Sequence, residues 1–172
     1  GVVFGFGAQK VVQDFVSGIF VIGENQYRVG DIVQLTVGGV PISGTVDEIT
    51  LRATKLRDLD GNLHVISNGS YQVATNLSFE YANVNVDLTV NYEADVDRIE
   101  GIINQVGESM QQDEEWGKVI FEPIKFLRVN NFSDRGIEIK SLGKVEPAEQ
   151  WAVAGEFRRR IKQEFDKEGI KA

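Results

Sequence analysis

The chain has 172 residues, with 18 basic and 26 acidic side chains for a formal net charge of −8, and its 42% apolar and 26% charged residues exclude bulk disorder. It has no cysteine and one histidine, His64; disulfide scaffolds, thiolate zinc sites, cysteine nucleophiles and multi-histidine metal centres are therefore excluded within one chain. Both halves carry more acid than base, which argues against a nucleic-acid partner, and the length suits one or two small domains.

The opening stretch from Gly1 to Ala8 is glycine-rich and apolar. On a helix, Gly1, Gly5 and Ala8 share one stripe and Val2 and Phe6 the adjacent one. Small residues at that spacing let helix backbones approach closely inside a membrane; the same composition also suits a frayed chain end. From Lys10 onward, Val11, Val12, Phe15, Val16, Ile19 and Phe20 recur at helical spacing, with Lys10, Gln13, Asp14 and Ser17 opposite. This pattern predicts an amphipathic helix of about three turns, suited to a membrane interface, a partner helix or a soluble core. No run of about 18 apolar residues occurs, so no complete membrane span is expected within these residues, and no cleavable signal is visible.

After Gly30 the period drops to two. Val33, Leu35 and Val37 alternate with polar residues and lead to Gly38-Gly39. Gly44 to Leu51, Arg52 to Leu59, Leu63 to Ile66 and Val73 to Leu77 read as further strands, with Asp60-Gly61 and Asn68-Gly69 as turns. Five short strands with tight turns predict a small β barrel.

The remainder mixes strand and helix. Val84, Val86, Leu88 and Val90 alternate strictly. Asp95 or Asp97 is the expected cap of the next helix, the latter forming a capping box with Glu100. Ile99, Ile102, Ile103, Val106 and Met110 make its buried stripe, and residues 113–118 read as a loop. Ile124 to Val129 and Ile137 to Leu142 read as a hairpin. Pro147 is placed at a helix start, with Trp151, Ala154, Phe157, Ile161 and Phe165 facing inward and Gly169 as the stop. The order β-α-β-β-α is a ferredoxin-like split unit without its last strand. The expected fold is α+β, with residues 1–26 helical, 27–80 a small β barrel and 81–172 an α/β domain.

Catalytic chemistry finds little support. Gly5-Phe-Gly-Ala-Gln-Lys10 holds two of the three glycines of a dinucleotide fingerprint and lacks the surrounding βαβ unit. His64 falls on an alternating strand, where one structural hydrogen bond is the ordinary role. Asp58 and Asp60 flank a turn, which favours aspartate for local backbone bonding. Arg158 to Arg160 reads as a solvated helix face. No nucleophile–base pair or metal constellation assembles, so neither an enzyme nor a cofactor is expected.

Several ordered motifs carry a family resemblance. Gly5 to Phe20 resembles the end of the third transmembrane helix of the mechanosensitive channel of small conductance (MscS) family. Tyr27-Arg-Val-Gly-Asp-Ile32 resembles the start of the family's β domain. Gly44 to Ile49, Leu56 to Gly61 and His64 to Gly69 continue the match in order, with Ser67 where the family usually has proline. The resemblance implies an Sm-like β domain and an α/β domain forming a hollow cytoplasmic cage. It implies a homo-heptamer in the bacterial inner membrane, with residues from about 27 onward in the cytoplasm and further transmembrane helices upstream. Tension would open a weakly selective pore for ions and small solutes under hypo-osmotic stress. By alignment Val2 and Phe6 fall at the constriction, and Gly1, Gly5 and Ala8 on the helix-packing face. Lys10 stands where the family prototype has its kink glycine, which makes Gly7 the candidate hinge. The excess acid of residues 81–172 would favour cations in a water-filled vestibule. Two other readings compete: a soluble ring-forming scaffold that conducts nothing, and a small hydrolase using Asp58, Asp60 and His64.

Overall fold

The computed structural model describes residues 2–172. Gly1, assigned above to the helix-packing stripe, lies outside them. The chain divides into two compact units, one ending at Phe79 and one running from Glu80 to Ala172.

The first unit opens with α1, Val2–Gly23, one unbroken helix of 22 residues. Five antiparallel strands follow: β1 (Ile32–Val37), β2 (Val40–Ile49), β3 (Ala53–Arg57), β4 (Leu63–Ser67) and β5 (Tyr71–Asn76), in the sheet order β4-β3-β2-β1-β5. The second strand begins at Val40, earlier than the expected Gly44, because Gly38 and Gly39, both at positive φ, complete a two-residue hairpin that pairs Val37 with Val40. Register shifts at Thr36/Val37 and between Val46 and Glu48 bend the sheet. The bend lets Val33, Leu35, Val46, Leu56 and Ile66 converge on one small core with Val21 and Tyr27. β4 and β5 remain the two edges.

The second unit is a three-stranded antiparallel sheet, ordered β6-β8-β7, from β6 (Ala82–Val90), β7 (Ile120–Ser133) and β8 (Gly136–Val145). Two helices, α2 (Val96–Gln111) and α3 (Gln150–Glu168), bury their apolar stripes on it. This is the ferredoxin-like order without the fourth strand. β6 shows the alternation that the sequence predicts, with Ala82, Val84, Val86 and Val90 buried. β7 starts four residues earlier than expected and runs longer, since four register shifts let it bend along β8 instead of ending. The α2–β7 contact is close: a Cβ on Gly107 would lie 1.8 Å from the Ile124 carbonyl oxygen.

Three local expectations are corrected. Asp95 caps α2, its Oδ1 accepting the Asp97 and Arg98 amides at 3.0 and 3.4 Å; Asp97 is already helical, so the capping box does not form. Pro147 precedes α3 instead of starting it, and Ala148 turns the chain at φ 74° before the helix begins at Gln150. Trp151 is exposed, because it sits roughly 90° around the helix from the stripe of Ala154, Phe157, Ile161 and Phe165. Val153 is buried in that core instead.

Candidate functional site

The first unit's helix is amphipathic in an unusual sense. Its buried residues are Asp14, Gly18 and Val21, at i, i+4 and i+7. Val11, Val12, Phe15, Val16, Ile19 and Phe20, the apolar face, are all exposed. The helix therefore docks on its own β sheet through Asp14, Gly18 and Val21 and leaves its broad apolar stripe exposed. An ordinary surface helix on a soluble core does the reverse, so that alternative is overturned.

The dock is built from close approaches. Gly18 lies where any side chain would collide, since a Cβ there would be 2.0 Å from the Leu51 carbonyl oxygen and 2.7 Å from Asn68 Nδ2. Asp14 is 2% exposed, and its Oδ1 accepts the Gly69 amide at 3.0 Å. A Cβ on Gly69 would in turn sit 2.7 Å from that same oxygen. Asn68 is the hub beneath. Its Nδ2 donates to the Thr50 and Leu51 carbonyls at 2.8 and 3.1 Å, and its Oδ1 accepts from the Thr54 hydroxyl at 2.8 Å. The Tyr27 hydroxyl joins Thr54 to Tyr71, each at 2.9 Å. Burial and the Tyr27 hydroxyl hold the Tyr71 phenol far above its ordinary range, so its hydroxyl stays protonated. A chain of satisfied polar groups at this depth fixes the helix in one orientation.

The sequence-predicted residues occupy the other end of α1. Val2 and Phe6 lie one turn apart and are exposed. Gly5 and Gly7 have nothing within 4 Å of a built Cβ, and Ala8 is exposed. Together Val2, Gly5, Phe6, Ala8, Gln9 and Val12 line a shallow, mostly apolar groove along the helix. The helix passes through Gly5, Gly7 and Lys10 without interruption. Sequence reasoning missed Asp14, Gly18 and Asn68. Asp14 and Gly18 stand one turn apart beside the apolar stripe, and that spacing was the available signal.

The hydrolase residues are a turn. Asp58 Oδ1 accepts the Asp60 and Asn62 amides at 3.0 and 2.8 Å, while Oδ2 takes Asn62 Nδ2 at 3.0 Å and His64 Nε2 at 2.8 Å. His64 first, and then Asn62, hold the Asp58 carboxyl at about 2. A carboxylate so occupied organises a hairpin and has little basicity left for proton abstraction. Among the described residues no group of three or more acidic or histidine side chains could hold a metal ion. No helix there is long and apolar enough to cross a membrane. The arginine run is also less uniform than expected: Arg160 is half-buried and bridges Glu156 and Asp113.

Comparison with known proteins agrees with the resemblance read from the residues. Residues 10–78 match the family described as mechanosensitive ion channel, beta-domain, and residues 84–172 match mechanosensitive ion channel MscS, C-terminal. The small-conductance mechanosensitive channel of Caldanaerobacter subterraneus subsp. tengcongensis is 36% identical over 96% of this chain and 56% of that protein. The moderate conductance mechanosensitive channel YbiO of Escherichia coli is 28% identical over 100% of this chain and 23% of its own length. The chain thus spans a little over half, or less, of these relatives. Among solved structures, Helicobacter pylori MscS in its closed state superposes with a TM-score of 0.77 at 21% identity, over 99% of this chain and 65% of that one. The fold is the MscS-like one.

Proposed function

From the premise that the chain belongs to the mechanosensitive ion channel MscS family, we propose that it is the pore-helix and cage part of a tension-gated channel. In this reading the channel is a homo-heptamer in a bacterial inner membrane that releases ions and small solutes under hypo-osmotic stress. The observation that carries the proposal is the inverted helix: α1 is pinned to the β sheet by Asp14, Gly18 and Val21, while Val11, Phe15, Ile19 and Phe20 face outward. Leaving that many large apolar side chains in water is unfavourable by roughly 25 cal/mol for each Å² exposed. A lipid boundary removes the cost. Tension acting on such a helix has a rigid path into the β sheet through Asp14–Gly69 and Asn68.

Residues 1–26 then serve as the end of the pore helix and the interfacial helix, 27–80 as the Sm-like β domain and 81–172 as the cytoplasmic α/β domain. Val2 and Phe6 form the two constriction rings, with Gly1, Gly5 and Ala8 on the packing face and Gly7 as hinge. Two unpaired sheet edges, β4 and β5, suit a head-to-tail contact between copies, and such a contact repeated by rotation closes into a ring.

The test uses the full-length protein in liposomes. Mass measurement of gently solubilised protein should give a heptamer, and excised patches should carry current under suction. Monomers or dimers alone would count against the ring. A heptamer silent at lytic tension would favour the scaffold reading.

A further inference from the structure

We infer that His64 and Asp58 form a proton-operated clasp on the β3–β4 hairpin, one that tightens as pH falls through the histidine range and sets how firmly edge strand β4 is presented to a neighbouring copy. The second half rests on the ring reading above; the clasp itself does not.

β3 and β4 pair Leu56 with His64. Strand alternation puts His64 on the inner face with Leu56 and Ile66, and Asp58 is the next inner position beyond Leu56. Residues 59–63 are all exposed, so no core packing holds the tip of the hairpin. Backbone bonds turn it, from Asp58 N to the Asn62 carbonyl and from Gly61 N to the Asp58 carbonyl, and Arg57 adds one to the Gly61 carbonyl. The Asp58 carboxylate supplies the rest, taking the Asp60 and Asn62 amides on Oδ1 and the Asn62 side chain and the His64 ring on Oδ2. Of its four donors only His64 belongs to β4, and only His64 titrates.

Histidine is the side chain that ordinarily changes charge between about pH 5 and 8, and His64 is the one histidine of the chain. Its side chain is 37% exposed, so protons reach it from solvent. Protonation places a positive charge 2.8 Å from a carboxylate that stays ionised throughout this range, and the bond strengthens. The other charges around the hairpin are committed elsewhere. On the outer face of β3, Lys55 and Arg57 pair with Glu48 and Asp47 of β2. β2 contributes the apolar Val46 to the inner face, and Asp60 is exposed in the loop. Among the described residues Asp58 is thus the one charged group bonded to the ring. A tighter tie between the loop and β4 narrows the motion of an unpaired edge, and an ordered edge pairs with a second strand at a lower entropy cost.

The experiment measures hydrogen exchange of the full-length protein at about pH 5.5 and about pH 8, the two ends of the histidine range. Results are read as protection factors, which removes the intrinsic pH dependence of exchange. In the wild type, protection of residues 58–66 should be about three- to tenfold higher at the lower pH. The ratio should fall to near one in His64→Gln, which keeps a side-chain N–H donor without a titrating ring. It should do the same in Asp58→Asn, which keeps an acceptor for the loop amides without the charge, so that either variant decides if the other fails to fold. Equal wild-type protection at the two pH values, or an unchanged ratio in both variants, would overturn the clasp. The temperature at which the gently solubilised assembly dissociates should also be higher at the lower pH in the wild type and insensitive to pH in His64→Gln. A clasp that responds while dissociation does not would overturn its role in presenting β4. A wild type that forms no ring would overturn the ring reading and leave the clasp standing on the exchange data.

Discussion

Asp14 accepts the backbone amide of Gly69 at 3.0 Å across 55 residues of sequence. A helix that is otherwise apolar and exposed is thereby fastened to the turn between the last two strands of the β sheet. The contact needs a carbonyl or carboxylate oxygen at position 14, no Cβ at 69 and no Cβ at 18.

Asp14→Ala should loosen the helix, because it leaves the partly buried Gly69 amide without its acceptor, at a cost of about 1–3 kcal/mol. Asp14→Asn keeps an oxygen in place and should restore most of the loss. Gly18→Ala drives a methyl against the Leu51 backbone and should cost at least as much, about 1–3 kcal/mol or more. Hydrogen exchange at residues 67–70 in the full-length protein is the readout: faster in Asp14→Ala and Gly18→Ala, near wild type in Asp14→Asn. Unchanged protection in both would mean that the dock is not what holds the helix.

Phe6→Ser tests the constriction. An apolar neck gates by dewetting, and a hydroxyl ring favours water there. The variant should open at lower tension or leak at rest, and should slow growth of cells expressing it. If Phe6 instead packs against a neighbouring helix, the change should cost about 3–5 kcal/mol, as large-to-small core substitutions do, and reduce assembled protein. Patch recording with membrane-level quantification separates the two; normal assembly with an unaltered threshold and no leak would refute the gate assignment.

Ser141 sits fully buried in the sheet of the second unit, and its hydroxyl has no hydrogen-bond partner among the described residues. An unpaired buried hydroxyl lowers stability by its lost hydration. Ser141→Ala should therefore be neutral or stabilising, by up to about 1 kcal/mol. A thermal melt that drops clearly for this variant would show that the hydroxyl is bonded in the folded protein.

Acid should weaken both units in one window. The Asp58 carboxyl is held at about 2 against an ordinary 3.8, chiefly by His64 and then Asn62. Glu156 is held at about 2 against 4.5 by Arg159 foremost, with Arg160 adding and burial opposing. Both values are depressed on folding, so the stabilisation is complete above the ordinary values and is lost as pH falls through the range 4.5 to 2. Melting temperature should decline across that interval, and Glu156→Gln should flatten part of the decline. A constant melting temperature between pH 4.5 and 2 would contradict it.

The amino-acid sequence by itself determined the order of elements and most of the second unit's core. Alternation in β6 and the 3.6-residue stripe of α2 carry that information locally, since each side chain's face follows from its own position along strand or helix. The match of ordered motifs from Tyr27 to Gly69 determined the family. Periodicity also located α1 and its apolar stripe. It could not say which face of α1 is buried, because an apolar stripe marks a surface that avoids water without saying what covers it. Only the folded first unit decided that: the Leu51 carbonyl, Asn68 and the Gly69 amide come together from separate turns and select Asp14 and Gly18 from the polar side of the helix. Asp95 belongs to the same class. Its role hangs on where a helix begins, which is set by a cap hydrogen bond that is non-periodic and therefore silent in the pattern of apolar residues.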